Sequence, residues 1–215
     1  MSESDGEDFL DAINSNIILF CKGAFYISFY RLGMDKYYAS MNRTGLHCRS
    51  TIIWEKGNHT LSNSDYMSRY EPIFYGWINE HNFYGGNNGM DVWNINRTKK
   101  NDLHPTMKPI PLCEKGITDG SKKGDIVLEL GAGIGNETLA LSKLVGMSGK
   151  VISLEPHPKI FDYLLKTLSF NKLLNVNPEN KALSYSGKKL SFSDIGENWL
   201  KNKISENGPV SIETT

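Results

Sequence analysis

The chain of 215 residues has little cysteine, no net charge and no hydrophobic run long enough to cross a bilayer. Its three cysteines, Cys21, Cys48 and Cys113, lie far apart and form no Cys-x-x-Cys pair, which argues against a zinc ribbon or a disulfide framework. The most apolar stretch, IILFCKGAFYISF, is interrupted by Lys22 and Gly23 and is too short for a membrane span. The N-terminus is acidic, unlike a signal peptide. These features predict a cytoplasmic protein without a membrane or metal partner.

Charge is balanced over the whole chain but not along it. The 24 basic and 24 acidic side chains cancel, so no global field attracts the protein to nucleic acid. Residues 1–11, however, carry five acids and no base, and residues 94–123 carry seven Lys or Arg against three acids. The basic segment is either a solvated surface or a patch that faces phosphate groups.

Regular alternation of strand and helix patterns begins after residue 125. Short apolar runs alternate with segments of helical periodicity, which is typical of a parallel sheet in an α/β protein. The predicted elements are a strand at 126–129, a helix at 136–145, a strand at 150–154, a helix at 158–170 and a short strand at 174–177.

The first half of the chain has a different pattern. A helical pattern starting near Phe9 precedes three apolar segments that predict strands, AFYISFY, STIIWEK and EPIFYGW, and a short helix is predicted around 112–118. Aromatic residues in this half could stack on a flipped base or fill a core, and the core is the better interpretation for Trp54, Phe74 and Tyr75.

A glycine loop flanked by two acids is the clearest sign of function. Gly131, Gly133 and Gly135 follow the first predicted strand of the α/β region, where a ligand can approach a backbone that lacks Cβ atoms. Glu129 precedes this loop, and Glu155 ends the next strand, the usual place for an acid that binds ribose hydroxyls. The loop is either a tight turn or a nucleotide site. Glu129 would repel a pyrophosphate, so the cationic S-adenosylmethionine suits the site better than a dinucleotide.

These residues resemble the S-adenosylmethionine-dependent methyltransferases with a Rossmann-like fold. LELGAGIGNETLAL is similar to their first motif and VISLEPHP to their second. Residues 127–192 also resemble the FkbM family, which methylates oxygen on small molecules and sugars, although that family's later Asp-Val-Glu-Gly segment has no counterpart here. The resemblance implies that the cofactor is bound by Glu129, Gly131, Ala132, Gly133, Gly135 and Glu155.

Residues 9–129 resemble the DNA amino-methyltransferases that modify adenine N6 or cytosine N4, in the permuted order that places the cofactor motifs last. IIWEKGNHTLSNSDYMSRYEPIFYGW is similar to one of their signatures, and LHPTMKPIPLCEKGI to their His-Pro-Thr-x-Lys-Pro motif. That motif implies that Thr106 and Lys108 close over the methionine end of the cofactor. A hydroxyl and a cation in a proline-stiffened loop suit a carboxylate, although Lys108 could also be an ordinary surface lysine.

One feature of that family is missing from the sequence. Its catalysis uses an Asp/Asn/Ser-Pro-Pro-aromatic tetrapeptide at a strand end, and no Pro-Pro occurs in these 215 residues. The resemblance therefore implies a permuted Rossmann-like fold that lacks one central strand. It also implies DNA as a partner, a complementing chain that carries the catalytic strand, and no DNA methylation by this chain alone.

We expect one methyltransferase-like domain over residues 1–204, followed by a flexible tail at 205–215. Within the domain, 1–103 would form the substrate half and 104–204 the cofactor half. Two alternatives to a DNA methyltransferase remain open: a small-molecule O-methyltransferase of FkbM type, and a non-catalytic subunit that requires a partner.

Overall fold

The structure, a computed structural model, divides into two compact units. One unit is Phe20–Lys122, and the other combines Met1–Leu19 with Lys123–Thr215. The helix predicted around 112–118 therefore groups with the first half of the chain, although the predicted boundary at residue 103 placed it in the cofactor half. No helix in the ranges below is both long and apolar enough to cross a membrane. The described residues are 3–60, 65–97, 108–183, 190–192, 204–205 and 210–214.

A mainly antiparallel sheet of four strands forms the centre of the unit Phe20–Lys122. Its order is β1-β3-β2-β4, and only the β2–β4 pair is parallel. The three predicted strands of this half are confirmed. The elements of the unit are β1 (Ala24–Ser28), α2 (Met34–Thr44), β2 (Ser50–Thr60), β3 (Ser68–Trp77), β4 (Val92–Asn94) and α3 (Ile110–Gly120).

Both faces of this sheet are buried, which explains the long apolar run in β3. Successive side chains of a strand point to opposite faces. Tyr75 therefore joins the cluster that contains Trp54 and Leu112 of α3, whereas Phe74 packs against Tyr38 of α2. All three residues predicted to be core, Trp54, Phe74 and Tyr75, are buried. The core interpretation of these aromatics is confirmed.

A parallel sheet in the order β5-β6-β7 forms the centre of the other unit. Helices join its strands, as parallel connections require, and the observed bounds of these strands and connecting helices match the sequence prediction within about two residues. The helix predicted from near Phe9 begins earlier, at Glu3. Ala12 of α1 and Leu141 of α4 are buried. The elements are α1 (Glu3–Phe20), β5 (Ile126–Leu130), α4 (Asn136–Val145), β6 (Lys150–Leu154), α5 (Pro158–Phe170) and β7 (Val176–Glu179).

Short strands near the end of the chain form a small sheet, and one of them lies within the segment expected to be a flexible tail. Residues 210–214 form a strand that pairs with 190–192 in antiparallel orientation and with Lys181–Ala182 in parallel orientation. The sequence VSIET alternates β-branched and other residues, a composition that favours strands. The elements of this sheet are β8 (Lys181–Ala182), β9 (Leu190–Phe192), β10 (Ile204–Ser205) and β11 (Val210–Thr214).

Each unit has a sheet that ends in a strand with one open edge. Within the described residues, β5 pairs only with β6, and β1 pairs only with β3. Ile126 of β5 is 70% exposed and Leu130 is 39% exposed. Strands of a parallel sheet are normally covered on both faces, so this exposure of β5 is unusual.

A buried asparagine ties α4 to the start of β7. Asn175 Nδ2 donates to the carbonyl oxygens of Ser142 and Gly146, each at 2.9 Å, and its Oδ1 accepts from the Ser142 hydroxyl at 2.5 Å. The backbone carbonyl of Asn175 accepts from Val151 N at 2.9 Å. The Asn175 side chain thereby provides hydrogen-bond donors for two carbonyl oxygens at the C-terminal end of α4. The last turn of this helix contains one basic residue, Lys143.

We predict that Asn175→Ala lowers the free energy of unfolding by about 2–3 kcal/mol, because it leaves several buried polar groups without partners. Asn171→Ala is the matched control, since its side chain makes the same kind of bond to a carbonyl in an exposed position. Its effect should stay within about 0.5 kcal/mol. Urea denaturation measures both, and equal effects of the two substitutions would contradict the prediction.

Candidate cofactor site

The pairing of β5 with β6 brings the two predicted acids to the glycine loop. Leu130 lies opposite Leu154 at the last rung of the parallel pair, so the loop and Glu155 leave the sheet at the same edge. Gly131 N and Ala132 N both donate to Leu154 O, at 2.9 and 3.0 Å. This is the carboxyl end of the strands, where open α/β sheets bind their ligands.

The glycines of the loop serve two different purposes. Gly131, Gly133 and Gly135 all have positive φ angles, at 78°, 56° and 91°, which glycine adopts without strain. A Cβ on Gly131 would meet no described neighbour within 4 Å, whereas one on Gly135 would lie 2.8 Å from Leu164 Cδ1 of α5. The backbone at Gly131 therefore borders open space, and Gly135 is required for close packing of α5.

Ala132 belongs to the packing of the loop. It is 2% exposed and clusters with Leu164 and Leu168 of α5. Its methyl group anchors the loop to the core, so any contact of Ala132 with a cofactor would come through its backbone. The sequence pattern predicted a cofactor role for this position but did not show this anchoring role.

Glu155 is pre-arranged to accept further hydrogen bonds. Its Oε2 accepts from Gly133 N at 2.9 Å and its Oε1 from His157 N at 2.8 Å. A carboxylate offers about four lone-pair sites, so one further donor per oxygen can be accommodated. Burial raises the pKa of Glu155, although the hydrogen bonds from His157 and Gly133 partly lower it. Two ribose hydroxyls match this remaining capacity in number and chemistry.

Glu129, which precedes the loop, is buried and is held by two side-chain hydroxyls. Its Oε2 accepts from the hydroxyls of Thr138 and Ser153, at 2.7 and 2.6 Å. Its Oε1 is buried and has no hydrogen-bond partner among the described residues. Burial raises the pKa of Glu129, the two hydroxyls lower it, and the charge of Glu155 raises it further. A cationic group nearby would relieve this cost, whereas a pyrophosphate would increase it.

Lys108 lies in the unit Phe20–Lys122 and forms an ion pair with an acidic residue. Its Nζ forms a short ion pair with Glu71 Oε2 and lies 5.3 Å from the centre of the Trp54 ring. Lys56, which is 4% exposed, pairs with Glu71 Oε1 at 3.3 Å. Burial alone would raise the pKa of Glu71, but the two lysines lower it. Lys108 is therefore held in place by contacts within this unit. Its contact with the cofactor stays a prediction.

Thr106 and the rest of its motif before Lys108 lie outside the described residues. The predicted hydroxyl contact therefore remains untested. Sequence reasoning also missed Thr138, Ser153 and Asn180. Ser153 could have been identified from register, because aligning the first residues of the two predicted strands, 126 and 150, places it opposite Glu129.

The fold resembles solved structures of S-adenosylmethionine-binding methylases. M1.HpyAVI in complex with S-adenosylmethionine is 21% identical, with a TM-score of 0.59 over 74% of this chain and 82% of that chain. A Thermus thermophilus protein, provisionally assigned as a DNA modification methylase and complexed with S-adenosyl-L-methionine, is 13% identical, with a TM-score of 0.53 over 79% of each chain. These similarities confirm the predicted Rossmann-like α/β fold.

A shorter match is found to the protein-L-isoaspartate O-methyltransferase of Methanococcus maripaludis. It is 43% identical over 58 residues, which are 27% of this chain and 26% of that protein. The chain thus spans about a quarter of this relative, so the match indicates a shared segment and does not assign the whole activity.

A family model distinguishes the resemblance to DNA amino-methyltransferases from the resemblance to the FkbM family. The model N6_N4_Mtase, described as DNA methylase, matches residues 16–166. The match includes the glycine loop, both acids and residues 127–166 of the segment that also resembles the FkbM family. The small-molecule alternative receives no comparable support. The chain belongs to the N6_N4_Mtase family of DNA methylases, which are S-adenosylmethionine-dependent methyltransferases.

Proposed function

We propose that this protein takes part in transferring a methyl group from S-adenosylmethionine to the exocyclic amine of adenine or cytosine in DNA. The observation that carries the proposal is the arrangement of Glu155 at the glycine loop, within a chain of the DNA methylase family. Glu155 would accept the ribose hydroxyls of the cofactor. Glu129 would favour its cationic end, because a positive charge lowers the cost of a buried carboxylate.

The remaining predicted contacts are assigned from the family resemblance. The backbone of Gly131, Ala132 and Gly133 would line the cofactor, and Gly135 would support the loop from behind. Thr106 and Lys108 would hold the carboxylate of the cofactor. A lysine whose position is fixed by Glu71 loses little conformational freedom when it binds an anion, which supports this role for Lys108.

The methyl transfer needs a group that this sequence does not provide. The lone pair of an exocyclic amine is delocalised into the ring, so acceptors must localise it and an aromatic side chain must hold the flipped base in line. The family tetrapeptide does both, and the 215 residues contain no Pro-Pro. We therefore propose that a segment outside these residues supplies the catalytic strand, from another chain or from the same polypeptide.

The open edges of β5 and β1 support this proposal. An edge strand exposes unpaired N–H and C=O groups that can pair with an added strand. The 70% exposure of Ile126 on β5 is what removal of a covering segment would leave. DNA would be the substrate of the completed protein, and the basic residues between 94 and 123 would contribute contacts to its phosphates.

Cofactor binding is predicted to depend on Gly133 and Glu155. A valine at Gly133 is strained at positive φ and should abolish binding. Glu155→Ala should weaken it by about 1–3 kcal/mol through loss of charge-assisted hydrogen bonds. Glu179→Ala, which removes a carboxylate paired with Lys181, is the control and should bind normally. Calorimetric titration with S-adenosylmethionine and with NAD measures these effects.

The same titration has an expected pH dependence. The ionised form of Glu155 accepts ribose hydroxyls best, and its pKa is raised. Affinity should therefore fall as the pH drops through that raised value, and Glu155→Gln should remove this component of the fall. Tight binding of NAD without any response to S-adenosylmethionine would refute the proposed cofactor.

Lys108 is predicted to recognise the carboxylate of the cofactor. Lys108→Ala should weaken the binding of S-adenosylmethionine by roughly ten-fold or more. The same substitution should change the affinity for decarboxylated S-adenosylmethionine little. Lys115→Ala is the control, since Lys115 pairs with Asp119 in the same unit. Equal losses for both ligands, or no loss, would restrict Lys108 to its pair with Glu71.

The 215-residue chain alone is predicted not to methylate DNA. Labelled methyl transfer from S-adenosylmethionine to unmethylated DNA should stay at background, because the sequence lacks the Pro-Pro tetrapeptide that localises the lone pair of the target amine in the family. Adding a segment that carries a strand and Asp-Pro-Pro-Tyr should restore transfer, and the same segment with Asp-Ala-Ala-Tyr should not. Robust transfer by the chain alone would show that other residues perform the chemistry.

A further inference from the structure

Asn180 holds the turn that presents Glu155. This asparagine follows β7 and is half-buried. Its Nδ2 donates to the carbonyl oxygen of Glu155 at 2.7 Å and to that of Pro156 at 3.2 Å. The contacts join segments about 25 residues apart in sequence. The turn after β6 is therefore held by a residue that follows the neighbouring strand β7.

Every polar group of Glu155 is hydrogen-bonded in the described structure. Its N donates to Glu179 O at 3.1 Å, and its O accepts from Asn180. Its two carboxylate oxygens accept from Gly133 N and His157 N. These contacts on one residue leave the carboxylate little freedom to turn away from the glycine loop.

Asn180 supplies the one side-chain group in this set. The other hydrogen-bond partners of Glu155 are backbone atoms of Gly133, His157 and Glu179, which a side-chain substitution does not remove. Two carbonyl oxygens that lose the Asn180 donor would no longer be fixed, and the turn could rotate about the backbone of Glu155. The carboxylate would then lose the orientation in which it meets both the loop and a ligand.

We propose that Asn180 is a positioning residue for recognition of the cofactor ribose, acting through Glu155. The inference rests on the proposed binding of S-adenosylmethionine. Asn180 itself makes no contact with the ribose in this scheme. Its contribution is preorganisation, because a carboxylate held in place loses less freedom when it binds two hydroxyls.

The test compares ligands with and without the ribose hydroxyls. Asn180→Ala should weaken binding of S-adenosylhomocysteine to the full chain about ten-fold, the scale of one lost hydrogen bond to a charged group. It should leave the affinity of the 2′,3′-dideoxy analogue unchanged. In the Glu155→Ala background, Asn180→Ala should cause no further loss, because residues that act through one contact are not additive.

Two further variants complete the experiment. Asn177→Ala is the matched control, since this neighbouring asparagine donates to the Glu179 side chain at 3.1 Å and not to the turn, and it should bind as the wild type does. Asn180→Asp keeps the size of the side chain but lacks the N–H donor, and should reproduce the selective loss if the alanine variant folds poorly.

The outcomes separate this inference from the proposed function. If the wild-type chain binds neither S-adenosylmethionine nor S-adenosylhomocysteine, the proposed cofactor fails and the inference with it. If the wild type binds and the Asn180 variants bind equally well, the inference alone is overturned. Equal losses for the complete and dideoxy ligands would make Asn180 a purely structural residue and would also overturn it.

Discussion

The register of β5 against β6 determines the candidate site. Opposing Leu130 to Leu154 places the glycine loop and Glu155 at one edge, and it places Glu129 opposite Ser153 one rung earlier. A slip of one residue would turn every side chain of the strand to the other face. Glu129 would then lose its hydroxyl partners, and Ala132 would leave the core beside α5.

The site concentrates negative charge in a place where water is largely excluded. Two buried glutamates with raised pKa values, Glu129 and Glu155, destabilise the folded state as they ionise. For an acid with a raised folded pKa, this penalty is absent at low pH and grows as the pH rises through the unfolded value towards the folded one. The unit therefore holds unfavourable electrostatic energy at neutral pH, which a cationic ligand can offset. Acids with raised pKa values are often found at functional sites, which agrees with the proposed cofactor role of these glutamates.

The α/β region was predictable because local and tertiary signals agree there. Short β-branched runs, a glycine at each end of α4 and helical periodicity all indicate the same elements, and α4, β6 and α5 were predicted with their observed bounds. The helix α2 was missed. Its sequence MDKYYASMNRT is polar on average, but Met34, Tyr37, Tyr38 and Met41 have the i, i+3, i+4, i+7 spacing of an amphipathic helix, and Gly45 follows as its C-cap. This local signal was present in the sequence and was overlooked.

Within the site, the residue types were predictable and their contacts were not. Glycines and acids at strand ends follow from general rules of α/β sheets. The role of Gly135 in packing α5, and of Asn180 in holding the Glu155 turn, depends on atoms that are roughly 20 or more residues away in sequence. The pairing of Lys108 with Glu71 joins segments 37 residues apart and was equally invisible to sequence reasoning.

The open edge of β5 has a consequence for the life of the chain after synthesis. If a separate chain supplies the catalytic strand, as proposed, the edge of β5 that is unpaired among the described residues would be presented both to that strand and to every other copy of this chain. Association with the strand and self-association would compete, and self-association increases more steeply with the concentration of this chain. In that case the yield of the proposed complex would depend on how synthesis of the two chains is matched in time and amount, and not only on how tightly they bind.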